Sequence, residues 1–249
     1  MRADLALADL GGMRGDFDAQ LRYAEAGLAK LPPTAGSEEV LLLRANVRAQ
    51  KGDALYYQGR IGDALAEYER GLAEVGDALR KLPRSYALRR RHTLLAWATG
   101  STLFEMHEHG RALTMLENAL ADAREALAFE PSDREAARNL RIVRQSRAQV
   151  LSAQGRHDDA IAELLETLRA DQSLLDRMPD EPRLVRDVIY DRAVIGEVLD
   201  RQGRRAEACI LDRATMAAFD ALAKQRRLSG LDLVDNRAAV EARVAKNCR

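Results

Sequence analysis

Apolar residues recur along the chain at helical spacing, and that helical pattern itself returns every 48 residues. Ala64, Ala112, Ala160 and Ala208 stand at this interval, as do Leu55, Leu103, Leu151 and Leu199, and then Leu72, Leu120, Leu168 and Met216. Within each unit one apolar stripe runs up to a glycine-centred turn (YYQGRIGDA, SAQGRHDDA, DRQGRRAEA) and a second runs on toward a proline. Gly59, His107, Gly155 and Gly203 share the turn phase, while Pro83, Pro131 and Pro179 fall between units. The pattern predicts antiparallel helix pairs with proline at the junctions, because proline lacks an amide hydrogen and disfavours helix at the residue before it. Ser132 and Glu135 have the spacing of a capping box that restarts the helix after Pro131.

Small residues form their own columns: Ala64, Ala112, Ala160 and Ala208 in one, Gly71, Ala119, Thr167 and Thr215 in another, while Gly52, Gly100, Ala148 and Gly196 share a further phase of the repeat. Such columns let two helices approach closely, and the leucine columns then face a shared interior that each hairpin covers only by stacking on its neighbours. The predicted fold is all-α, a right-handed superhelical solenoid of about five hairpins, with units at residues 1–34, 35–83, 84–131, 132–179 and 180–228 as one continuous domain. Leu231, Leu233, Val234, Val240 and Val244 predict a capping helix within 229–249, starting near Asp235. Reading Gly11-Gly12 as a turn region leaves too few residues for a full first helix. The chain is therefore expected to begin inside a repeat and to be a piece of a larger protein.

GDFDAQLRYAEAGLAKLPP at Gly15 to Pro33, GRIGDALAEYERGLAEV at Gly59 to Val75 and GRHDDAIAELLETL at Gly155 to Leu168 resemble the tetratricopeptide repeat. The resemblance spans residues 1 to 228, with units of 48 residues against the usual ~34. It implies a protein-binding solenoid in which first helices line the concave face. The RDV and RNL runs, Arg186 to Val188 and Arg138 to Leu140, look like the C-terminal regions of some bacterial serine/threonine protein kinases, although no kinase motif is present.

Composition narrows the function. Lys plus Arg (39) balances Asp plus Glu (39), so no global field draws in nucleic acid. No apolar run reaches the ~18 residues of a membrane span. No phosphate loop, nucleophile elbow or HExxH motif occurs, so an enzyme is the least favoured reading and no cofactor is expected. With only Cys209 and Cys248, a disulfide framework is not expected and a reducing, cytoplasmic setting is. Cys209 shares the register of Leu65, Leu113 and Ile161 and reads as a buried small hydrophobe, and Cys248 as a free tail thiol.

By the resemblance, the partner-contacting set is Asn46, Asp53, Tyr56 and Tyr57, then Trp97, Ser101 and Phe104, then Gln145, Gln149 and Tyr190. Five aromatics on that face, out of 11 in the chain (Trp 1, Tyr 6, Phe 4), suit an interface; the alternative is that they fill the inside of a curved solenoid. Arg90, Arg138 and Arg186 share the repeat register and suit an anion, or else pair internally with Asp and Glu. The carboxylate clamp of chaperone-binding family members needs Lys and Asn where this chain has Leu5, Asp9 and Ala49, which disfavours that partner class. His107, His109 and His157 lack the ligand set and spacing of a metal site.

The expected function is a non-catalytic scaffold holding a protein or peptide, as part of a larger bacterial regulatory protein. Two alternatives stay open: a sensory module for a small anion or phosphorylated segment through the arginines, and a self-associating unit that forms a homo-oligomer through exposed solenoid ends.

Overall fold

The computed structural model describes residues 2–32, 36–228, 232 and 236–248. Among them are eleven helices and no strand: α1 (Arg2–Arg14), α2 (Phe17–Ala29), α3 (Glu38–Tyr57), α4 (Ile61–Lys81), α5 (Tyr86–Glu105), α6 (His109–Phe129), α7 (Arg134–Ala153), α8 (His157–Arg177), α9 (Pro182–Arg201), α10 (Arg205–Lys224) and α11 (Arg237–Asn247). The chain divides into two compact units, one ending at Ser146 and one starting at Arg147.

Four hairpin turns are closed the same way. The amide two residues beyond the helix C-cap donates back to the carbonyl of a repeat leucine, Arg60 to Leu55, Glu108 to Leu103, Arg156 to Leu151 and Arg204 to Leu199, all at 2.9 Å. This six-to-one bond requires the intervening residue to be left-handed. Gly59, Gly155 and Gly203 meet that requirement at φ 76°, 81° and 81°. His107 takes the same conformation at φ 61° with a Cβ attached, which is sterically strained. The four leucines are themselves buried, so one residue per unit both ends a helix and fills the core.

Close packing within the hairpins rests on the small columns. Ala64, Ala112, Ala160 and Ala208 are wholly buried. A Cβ added to Gly52 would lie 2.4 Å from the Tyr68 ring, and one on Gly100 would lie 2.7 Å from Leu116. Gly11 and Gly12 follow the same logic. They sit inside α1 rather than in a turn, because α2 approaches so closely that a Cβ on Gly11 would be 2.9 Å from the Gln20 amide nitrogen; the turn is at Gly15.

In the first unit the repeat also runs through polar pairs. Arg44 and Glu74 join α3 to α4 at 2.6 Å, and 48 residues on His92 and Asp122 join α5 to α6 at the same distance. The start of one first helix is also bonded to the start of the next: Ser85 donates to Glu38 at 2.5 Å, and Tyr86 donates to Asp133. Asp133 is the cap of α7, accepting from the Glu135 amide at 2.8 Å, while Ser132 bonds Glu130 instead. The expected capping box is thus replaced by the acid directly adjoining the helix.

In the second unit α11 closes the last hairpin. Val240 is buried against Ile189, Phe219 and Leu222. Arg243 grips Asp212 with two bonds of 2.8 and 3.0 Å and donates to the Ala193 carbonyl at 2.8 Å. Asp212 occupies the register of Tyr68, Leu116 and Leu164, a buried acid where the other units carry apolar or aromatic bulk. Val240 and Val244 of the expected cap fall on α11; Leu231, Leu233, Val234 and the Asp235 start lie outside the described residues.

The cysteine expectation is corrected here. Cys209 is only half-buried and is joined to Cys248 by a disulfide, with Cα atoms 5.2 Å apart. The repeat register compares Cys209 only with its counterparts in other hairpins. The return of α11 onto α9 and α10, which delivers Cys248, has no periodic counterpart.

Replacing His107 by glycine removes the left-handed strain at the one of these turns lacking glycine. Urea unfolding of His107→Gly is expected to show a gain of about 1 kcal/mol, whereas unchanged or lower stability would mean that the His107 side chain offsets the strain.

Candidate functional site

The first helices α1, α3 and α5 pack successively against one another and share an inner face in the first unit. On α1 that face carries Leu5 and Asp9, one turn apart; on α3 it carries Leu42, Asn46, Gln50 and Asp53 at spacings of three and four. The N-terminal part of this strip opens into a cleft of about 540 Å³ lined by Leu5, Glu38, Glu39, Leu42, Leu43 and Asn46. Its floor is aliphatic and its rim carries two carboxylates. The Asn46 Oδ1 is screened from solvent and accepts no hydrogen bond.

Further along the strip, polar side chains are fixed by relays. Gln20 donates to Gln50 at 2.6 Å, and Gln50 donates to Asp9 at 2.5 Å. Tyr68 reaches from α4 past Gly52 and donates to Asp53 at 2.6 Å. Burial raises the pKa of both acids, that of Asp53 to about 6, even though the Tyr68 bond and the field of Arg91 act in the opposite direction. Burial likewise lowers the pKa of Arg91 and pushes the Tyr68 phenol well up. Asp9 and Asp53 feel Arg91 electrostatically, yet neither forms an ion pair among the described residues.

The residues expected to contact a partner are distributed unevenly. Asn46 and Asp53 belong to the strip just described. Tyr56 packs against the α3–α4 core, and Tyr57 stacks on Phe17 of α2 with centroids 4.6 Å apart. Trp97 donates to Ser146 at 2.8 Å and Ser101 to the same oxygen at 3.2 Å, so this pair joins α5 to α7. Phe104 lies against His109, and Gln145 is buried. In the second unit Gln149 donates to Glu197 at 2.8 Å, while Tyr190 donates to Asp232 and packs near Phe219.

Of the arginine ladder, Arg90 lies 3.4 Å from Asp133 and over the Tyr86 ring, and Arg186 holds Asp232 at 3.2 Å and the Arg227 carbonyl. Arg138 is exposed. Arg90 and Arg186 are thus engaged within the protein. No group of three or more His, Cys, Asp or Glu suited to a metal ion occurs among the described residues, and no described helix is long and apolar enough to cross a membrane.

The cleft residues Leu42, Leu43, Glu38 and Glu39 are not among the positions that the family motif names. The first-helix register does reach them, with Leu42 one turn before Asn46 and Glu39 a turn earlier, so extending that register toward the helix start is the signal that finds the cleft.

Comparison with known structures agrees with this architecture. The nearly identical TPR-like repeats of a Podosopora anserina kinesin light chain superpose with a TM-score of 0.60 at 16% identity, covering 91% of this chain and 96% of that one. A thermophilic TPR protein from Thermus thermophilus gives 0.53 at 17% identity, covering 99% and 98%. The fold is of the tetratricopeptide type. No protein-family model matches the sequence, and no curated protein does. At these identities the likeness extends to the fold alone.

The half-buried acid at Asp53 has a stability consequence. Its folded pKa of about 6 exceeds the roughly 3.9 of an unfolded aspartate. The folded chain therefore holds the extra proton between those limits, and stability falls as pH rises from about 4 to 6. Asp53→Asn is expected to stabilise the protein at pH 7 by about 1–3 kcal/mol, with the gain disappearing below about pH 4. Chemical denaturation at both pH values checks it, and a pH-independent effect would contradict the mechanism.

Proposed function

We propose that the chain is a non-catalytic interaction scaffold that holds a protein or peptide segment along the inner face of α1, α3 and α5, as one region of a larger bacterial regulatory protein. The observation that carries this reading is the cleft beside Asn46, an aliphatic floor left open on a face whose other side chains are tied into relays. Partner-binding roles go first to Asn46 and Asp53. Tyr56, Tyr57, Trp97, Ser101, Phe104, Gln145, Gln149 and Tyr190 serve through packing and hydrogen bonds within their own units. The anion-sensing alternative is less favoured, because Arg90 and Arg186 already hold internal partners. The Cys209–Cys248 bond favours an oxidising setting over the cytoplasmic one expected from cysteine count.

Photo-crosslinking residues placed at Glu39 and Asn46 are expected to trap the partner in source-cell extract, and one at Ile210, an exposed site on α10, is not. Equal labelling from Ile210, or none from the cleft, would reject this face as the binding site.

Self-association has one observation in its favour. Leu7, Leu10 and Met13 form a stripe on α1 that is 39%, 40% and 69% exposed. On this reading, light scattering across a dilution series should show a dimer that Leu10→Glu with Met13→Glu converts to monomer; a concentration-independent monomer excludes it.

A further inference from the structure

The cleft and the strip that continues it have a chemical bias that sets the class of segment they hold. From Glu39 to Asp53 the α3 face spans ~21 Å of helix at about 1.5 Å per residue. An elongated, open-sided surface of that length suits a chain segment better than a compact metabolite. Its floor is Leu5, Leu42 and Leu43, which asks for aliphatic side chains. Its polar groups are mostly acceptors: the Glu38 and Glu39 carboxylates on the rim, the donor-less Asn46 Oδ1, and the carboxylates of Asp9 and Asp53.

Glu38 already accepts from Ser85, which leaves its charge in place. Arg91 is the cation whose field reaches both Asp9 and Asp53, and a single guanidinium does not neutralise both acids. Asp53 is half-buried and its desolvation raises its pKa, while Asp9 lies at the exposed end of the Gln20–Gln50 relay with its pKa raised in the same direction, so a cation arriving beside them supplies an ion pair that neither forms among the described residues. The same charge repels a phosphate backbone.

Building on the scaffold reading, we propose that the α1–α3 cleft captures a basic, aliphatic segment of a partner protein, with leucine-like side chains on the Leu5–Leu42–Leu43 floor and Lys or Arg reaching Asn46, Glu39, Asp9 and Asp53. Charge complementarity selects the segment, and the apolar floor holds it. Asp9 and Asp53 thus trade stability for recognition.

Fluorescence anisotropy with the intact chain tests this using three labelled peptides of about four helical turns: leucine–lysine, the same peptide with glutamate for lysine, and lysine–serine without leucine. The leucine–lysine peptide is expected to bind at least about tenfold tighter than either other, and to weaken as salt rises. Asp9→Asn with Asp53→Asn should weaken it about tenfold while melting no lower than the parent, so lost binding cannot be attributed to unfolding; Glu39→Lys, at the cleft rim, should act in the same direction.

Equal or tighter binding of the glutamate peptide, equal binding of the lysine–serine peptide, or unchanged affinity in the Asp9/Asp53 variant overturns the proposal. So does failure of the leucine–lysine peptide to bind. Each of these results leaves the scaffold reading to the crosslinking of the native partner, which decides it independently.

Discussion

Everything in this molecule depends on two helices being able to lie close together and then turn back within three or four residues. Ala64, Ala112, Ala160 and Ala208 permit the approach, because a larger side chain there would hold the helices apart and leave the leucines half-solvated. The leucine carbonyls at 55, 103, 151 and 199 accept the bond that closes each turn, while their side chains fill the space the alanines leave. Geometry and burial are therefore supplied by the same few residues, which is why their spacing is kept so strictly along the chain.

Polar side chains do a different job on each surface of the hairpins. Arg44 with Glu74 and His92 with Asp122 join a first helix to its second, and Glu38 with Ser85 and Tyr86 with Asp133 pass from one hairpin to the next. On the inner face Asp9, Gln50, Asp53 and Tyr68 are organised as hydrogen-bond relays without ion pairs among the described residues. Ionised carboxylates in such a place are costly for the isolated chain.

Helix α11 covers a face of the α9–α10 hairpin that no other described helix packs against. It covers Phe219 and Leu222 with Val240, neutralises the buried Asp212 with Arg243, and is tied by Lys246 and Asn247 to Asp200 and by Cys248 to Cys209. Burial at Asp200 is more than offset by hydrogen bonds from Lys246 and Asn247, which hold its pKa below the usual range. Breaking the Arg243–Asp212 pair from one side would leave a buried charge uncompensated, at a cost of about 3–5 kcal/mol.

By itself the sequence determined the helices, their pairing and the turns at Gly59, His107, Gly155 and Gly203, because those follow from local sterics and an apolar period that any reader of the chain can measure. It placed Asn46 and Asp53 on one face of α3, since they share the first-helix register. It misplaced the first turn, the cap of α7 and the state of both cysteines. Gly11 and Gly12 serve the approach of α2, Asp133 wins the cap by adjacency to Arg134, and Cys248 meets Cys209 only once α11 has folded back. The cleft, too, was decided in three dimensions. Leu5 and Leu42 are far apart in sequence and become one floor only when α1 and α3 pack, and the raised pKa of Asp53 exists only because that packing removes water from around it.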